Sequence, residues 1–252
     1  METLKVEVGK LLKRKSSISS IVLFFAIPII FIILIKTKNS AVVISGKINE
    51  FTLTLTVWEM LRILKISYLI PILLTTSNLG KEISDRSIHM YLIRVSRKKL
   101  FFSKLFSNIL LTTMLYLSFW SSSLLVSHFL LSGTEFFEKN SHNLHMLSYA
   151  FLLGLLEILF VTVLACTISI FFTNIGGGVL TFLVIILFTI LSNIKIIMIY
   201  LPTYICDFTR ILKLATNQDI TNDAVKSTLT LFIYTCAVLI LGSVAFKNMD
   251  LN

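Results

Sequence analysis

Four charged residues stand in segments that are otherwise oily. Glu157 is alone in "LLGLLEILF", and Glu59, Arg62 and Lys65 share "WEMLRILKIS". A carboxylate in apolar surroundings is costly and usually faces a bundle interior, where a base can neutralise it. Arg62 and Lys65 are within reach of Glu157 if their segments are neighbours. Such a pair either fixes packing or lines a polar path through the apolar layer. Pairing of Glu59 with Arg62 alone would instead make that turn a solvated face. His142 and His145 in "SHNLH" have the i, i+3 spacing of two metal ligands, but two ligands do not make a site, and Glu135 and Glu138 would have to fold back to complete it. A polar loop is the preferred reading. His128, His142, His145 and Glu157 also offer the ligands and base of an intramembrane metalloprotease, the alternative function. That chemistry needs ligands at one depth on facing helices, and only His128 and Glu157 fall in apolar segments. The glycines 176–178 lack a GxGxxG spacing and a preceding strand, so they read as a tight turn or hinge. No G-x-x-x-x-G-K-[ST] occurs, so the chain has no P-loop with which to hydrolyse ATP.

The elements that must position these residues follow from composition. Of 252 residues, 56% are hydrophobic, 14% are charged and only three are proline, more apolar surface than one water-soluble core of this size takes up. The formal charge of +10 is clustered between apolar runs, which argues against nucleic acid and for an anionic membrane surface. Six stretches, 17–35, 57–79, 105–130, 147–172, 179–200 and 228–246, supply the about 20 helical residues that cross roughly 30 Å of hydrocarbon. The expectation is an all-α integral membrane protein, with six transmembrane helices in one domain covering 1–252. The first run follows Lys10, Lys13, Arg14 and Lys15 as a signal peptide would. Its apolar part is too long for an h-region and no clear A-x-A site follows, so it is expected to be retained, with Pro28 as a tolerated kink. Cys166 and Cys236 lie in apolar runs and Cys206 in a more polar connection, so a disulfide framework is not expected.

Orientation follows from Lys and Arg. With both ends cytoplasmic, thirteen bases fall inside, in 1–15, in 80–104 and at Lys247, against seven outside, three of them (Lys36, Lys38 and Lys47) near the first loop. Residues 1–15 place Leu4, Val8, Leu11 and Leu12 on one helical face and Lys10, Lys13 and Arg14 elsewhere, as in an amphipathic helix lying in the inner interface. Residues 200–227 become an external connection. Residues 80–104, "GKEISDRSIHMYLIRVSRKKLFFSK", become a cytoplasmic loop. In it Glu82 and Arg86 stand four apart, as a helix-supporting ion pair does. Ser84, Ile88, Leu92 and Val95 form a stripe beside Tyr91, a greasy edge suited to docking in a groove on another cytoplasmic protein. Ser96 occupies an N-cap position. Arg97, Lys98 and Lys99 in the next turn oppose the helix dipole, so orientation and phosphate headgroups explain them better than helix stability does.

Glu82, Asp85-Arg86-Ser87, Ile88, Leu92-Ile93, Ser96-Arg97 and Lys104 together resemble the cytoplasmic loop of type-2 ABC exporter permeases. There an acid is followed by a Gly-Thr-like pair, here Arg86-Ser87, then a hydrophobic helix, a Ser-Arg pair and a Lys opening the third span. "FKNMDL" (Phe246 to Leu251) is a version of the family's aromatic, basic and Asp ending, and the short turn "FFTNIGGG" fits as well. The resemblance implies a permease subunit, not an enzyme, in a bacterial plasma membrane. Glu82, Asp85, Arg86, Ile88, Tyr91, Leu92 and Arg97 would form a cytoplasmic coupling helix received by a separate ABC ATPase, which would hold ATP and magnesium while this chain holds no cofactor. Arg62, Lys65 and Glu157 would be candidates for the translocation path. A second permease copy or a sister permease would complete that path, with membrane lipid around it and no nucleic acid involved. Compact members with short external loops imply a hydrophobic or amphipathic substrate such as an antimicrobial peptide, moved for export or self-immunity.

Overall fold

Where no water can serve the backbone, every N–H and C=O must be paired within its own segment, and long apolar runs become helices. The computed structural model describes residues 2–37, 49–85, 87–93, 95–132, 134, 144–172, 174–207 and 220–248, and all its regular structure is helical. The elements are α1 (Glu2–Leu12), α2 (Lys15–Lys36), α3 (Glu50–Ile63), α4 (Ile66–Ser84), α5 (Ile88–Leu92), α6 (Arg97–Leu131), α7 (Leu144–Phe171), α8 (Asn174–Leu191), a 3-10 turn (Met198–Tyr200), α9 (Pro202–Ile205) and α10 (Ile220–Asn248). Among the described residues four helices are long and apolar enough to cross a membrane: Lys15–Lys36, Arg97–Leu131, Ser148–Phe171 and Val225–Asn248. Burial agrees with a membrane protein. Phe129 and Ile175 stand outward, while Lys104, Glu157, Thr162 and Asn108 are buried, the reverse of the sorting that water imposes.

Helix α7 packs against α4, α6, α8 and α10, and α2 lies along α6. In lipid, helix contacts come from close packing and interhelical hydrogen bonds. A Cβ at Gly154 would stand 2.7 Å from the Tyr116 hydroxyl, and one at Gly242 would stand 2.6 Å from Thr167 Oγ1, so these glycines set how near α7 and α10 approach their neighbours. Asn78 donates to Asn108 at 3.0 Å, Thr162 to Thr112 at 3.1 Å, and Thr54 and Ser123 share a hydrogen bond of 2.8 Å. Arg97 Nη1 donates to the Lys247 carbonyl at 3.1 Å and Lys104 donates to Glu7 at 3.0 Å. The first helix, the connection around α5 and the last turn of α10 therefore gather at one end of the bundle.

Several boundaries differ from the sequence expectation. The stretch 57–79 is not one helix. It is broken between α3 and α4 at Lys65, whose φ of 62° is left-handed. Helix α6 starts at Arg97, so Lys104 lies inside it, and Ser96 precedes it in extended geometry without a side-chain capping bond. The stretch 179–200 ends as helix at Leu191. Pro202 holds Leu201 extended and opens α9 at its first position. The glycines 176–178 lie within the first turns of α8, not in a turn between helices. Gly177 fits against the Ser169 backbone and Gly178 against Thr76. Cys206, expected in a polar connection, is buried.

Candidate functional site

Two groups of buried charge stand out, one in the middle of the bundle and one at its α5 end. The central group is built on the break. Glu157 lies thirteen residues after Leu144 and fourteen before Phe171, about 20 Å from either end of its helix. Its carboxylate accepts from the Tyr68 hydroxyl at 2.6 Å and faces Arg62 Nε at 3.8 Å. Arg62 also donates to Glu59 at 3.1 Å and to the Thr203 carbonyl at 2.9 Å, and it bonds the Cys206 carbonyl. One planar guanidinium thus joins α3 and α7 and satisfies carbonyls at the end of α9, which has too few turns to pair them itself. Lys65 points elsewhere, donating to Thr189 Oγ1 at 3.0 Å on α8, with its ammonium 5.6 Å from the centre of the Tyr68 ring. The alternative of Glu59 alone as partner does not apply: Arg62 and Glu157 are both buried. The group carries two acids and two bases around a kinked backbone, an arrangement that can present ordered charge to a polar solute or simply lock three helices together.

The second group joins α1, α4 and α6. Lys104 is fully buried between Glu7 at 3.0 Å and Glu82 at 2.5 Å, and Glu82 also pairs with Lys10. Lys10 and Lys104 lie 5.3 and 5.6 Å from the centre of the Tyr91 ring. Beyond the apolar part of α4, burial pushes the Glu82 carboxyl up, but Lys104 and Lys10 outweigh it and hold it below the usual carboxylate range. Burial pulls Lys10 down, yet its contacts with Glu82 leave it above the usual lysine value.

The remaining loop residues are placed as follows. Asp85 ends α4, its N–H bonded to the Lys81 carbonyl at 2.8 Å. Arg97 reaches Lys247. Arg86 lies outside the described residues, so Glu82 is observed only with its two lysines. The stripe expected to dock outward turns inward: Ile88 is fully buried with Leu79, Leu100, Phe101 and Phe246, and Leu92 and Val95 pack on the same cluster. A five-residue helix has to bury its apolar side somewhere, and α4 and α6 are the nearest surfaces. Met90 within α5 and Ile93 just after it face outward, 75% and 85% exposed.

Residues that sequence reading did not connect to these groups are Glu7, Lys10, Tyr68, Thr189 and the carbonyls of Thr203 and Cys206. Glu7 carried a signal, since it falls on the same face of α1 as Leu4 and Leu11, where an acid needs a partner. His128 pairs with Glu50 at 2.7 Å, whereas Glu157 meets Tyr68 and Arg62. His142, Glu135 and Glu138 lie outside the described residues, as does the side chain of His145. Among the described residues no three His, Cys, Asp or Glu side chains gather as metal ligands. Comparison of the chain with protein-family models finds no match, and comparison with curated proteins finds none.

Proposed function

We propose that this chain is the membrane-spanning permease subunit of an ATP-driven ABC exporter in a bacterial plasma membrane. On this reading α2, the α3–α4 pair, α6, α7, α8 and α10 are six crossings, and α1 lies at the inner interface beside α5. The observation that carries it is the construction around α5. A short helix between two membrane helices meets the Glu7–Lys104–Glu82–Lys10 network of α1, α4 and α6 through Tyr91, buries Ile88 and leaves Met90 and Ile93 facing out. A rigidly mounted helix with a small apolar face suits the receipt of force from a partner, since displacement of α5 moves α4 and α6 with it. The partner would be a separate ATPase holding ATP and magnesium, and a second permease copy or sister permease would complete the path. A hydrophobic or amphipathic substrate such as an antimicrobial peptide fits a bundle whose charged group is small and balanced.

Purification in mild detergent, with identification of whatever co-purifies, tests this reading by whether a P-loop ATPase is among the partners. The expected result is a stable complex that Met90→Asp with Ile93→Asp disrupts while the permease itself elutes and melts as the unaltered chain does. A complex that persists in the double variant removes α5 as the docking element. No complex at all removes the exporter reading.

A further inference from the structure

A groove of about 680 Å³ runs between α2, α4 and α8 on the outside of the bundle. Its walls are apolar, with Leu69, Leu73, Val179 and Leu183 along them, and Arg14 and Lys81 stand at one end. From Leu69 to Lys81 is twelve residues of α4, about 18 Å, close to half of the roughly 30 Å hydrocarbon layer. The groove therefore has the depth of one leaflet. Among the described residues the Arg14 side chain hydrogen-bonds the Ser77 carbonyl, through both terminal nitrogens at 3.4 Å. Among the described residues no carboxylate lies within ion-pair distance of Arg14 or Lys81. Helices α2 and α8 both begin at this end, and their first-turn N–H groups add to its positive potential. Two cations without an anion, set at the mouth of an apolar channel of leaflet depth, describe the complement of a single amphipathic anion.

We propose that this groove holds an anionic phospholipid, with one acyl chain against Leu73 and Val179 and its headgroup between Arg14 and Lys81. The site is separate from the Arg62–Glu157 group and from the α5 face. It requires the chain to lie in a membrane but does not depend on the exporter reading, and no ATPase is needed to detect it.

The purified full-length chain is exchanged into micelles containing phosphatidylglycerol or phosphatidylcholine, and bound lipid is counted by native mass spectrometry. Phosphatidylglycerol is expected to be retained in preference. Each cation near an anionic surface corresponds to about 1 kcal/mol, or about fivefold, so Arg14→Ala with Lys81→Ala should weaken retention about 25-fold. Lys13→Ala with Lys99→Ala, which removes two bases outside the groove, should not. Val179→Trp fills the channel while keeping both cations and should also expel the lipid. Thermal melting of each variant near that of the unaltered chain shows that lost retention is not unfolding. Equal retention of the two lipids, or unchanged retention in the Arg14/Lys81 variant, overturns the proposal. So does efficient disulfide dimerisation of Val179→Cys in membranes, which would place a second copy of the chain in the groove.

Discussion

The Arg62–Glu157 group and the Lys104 network are both buried and both balanced in charge, yet they rest on opposite kinds of backbone. The first sits on a broken helix, and its arginine spends much of its hydrogen bonding on main-chain carbonyls of α9. The second joins helices that are already continuous, α1, α4 and α6, through side chains alone. A left-handed lysine costs on the order of 1–3 kcal/mol, and at the break Ser67 reaches the Leu61 carbonyl at 3.5 Å while the Lys65 ammonium is held by Thr189. Charge in the centre therefore determines the path of the chain, whereas charge at the end determines how firmly formed helices adhere.

This contrast is broken most severely at Arg62. Arg62→Ala leaves Glu157 and two carbonyls without their cation, and removing one partner of a buried pair costs about 3–5 kcal/mol. The expected outcome is loss of folded protein on size exclusion in detergent. Arg62→Lys should recover little, because an ammonium cannot reach two acids and two carbonyls in one plane. If Arg62→Lys melts with the unaltered chain, the central group is ordinary ion pairing and the contrast fails.

Lys104→Ala comes next, with a cost of about 3 kcal/mol from the same cause. Glu82 keeps Lys10, so Glu7 is the residue left bare. Adding Glu7→Gln to Lys104→Ala should return part of the lost thermal stability, and no return in the double variant would show that the network acts through something other than its charges.

Glu157→Gln preserves shape and the Tyr68 contact while removing one charge, and Glu59 still faces Arg62. A hydrogen bond to a charged group is worth about 1.5–3 kcal/mol, so melting should fall modestly. On the exporter reading, transport per intact complex should fall more than the amount of complex. The reverse ranking would make the carboxylate a packing device.

The smallest effect is expected at Lys10, which is partly exposed. Lys10→Ala should cost about 0–1 kcal/mol, as surface pairs do. The network's pH dependence follows from Glu82 and Lys10. Because Glu82 is held below its ordinary value, its contribution is complete above that value and is lost as pH falls through the lowered one. Because Lys10 is held above its ordinary value, its contribution is complete below that value and is lost only as pH rises through the raised one. Protection factors of the α1 amides, which remove the intrinsic pH dependence of exchange, should thus be level across neutral pH and fall first below about pH 4. Protection that already falls between pH 7 and 5 would assign the control to another group.

Much of the layout was legible because it is written in local terms. Apolar length alone marks α2, α6, α7 and α10, and the isolated Glu157 with two bases on another segment invites the pairing that Arg62 makes. The α5 region was legible as a short helix but not in its orientation. Ile88, Leu92 and Val95 share a face whichever way that face is turned, and burial against Leu100 and Phe246 is a contact between distant parts of the chain. Lys104 read as one more base in a basic run, since nothing near it in sequence tells that Glu7 lies across from it.

By itself the sequence determined that the chain is helical, with runs long and apolar enough to cross a membrane, because apolar runs without water must pair their own backbone. It also determined where costly charge falls within those runs. Only the tertiary structure decided that 57–79 is two helices, since Lys65 has no local reason to turn left-handed and does so where Thr189 can receive its ammonium and Arg62 can hold the end of α9. The tertiary structure alone likewise chose Glu7 and Glu82 for Lys104 and, among the described residues, set no acid against Arg14 or Lys81. Which charges meet depends on how helices cross, and crossing is fixed by glycines and small polar side chains such as Gly154, Gly242 and Asn108, whose partners lie far away along the chain.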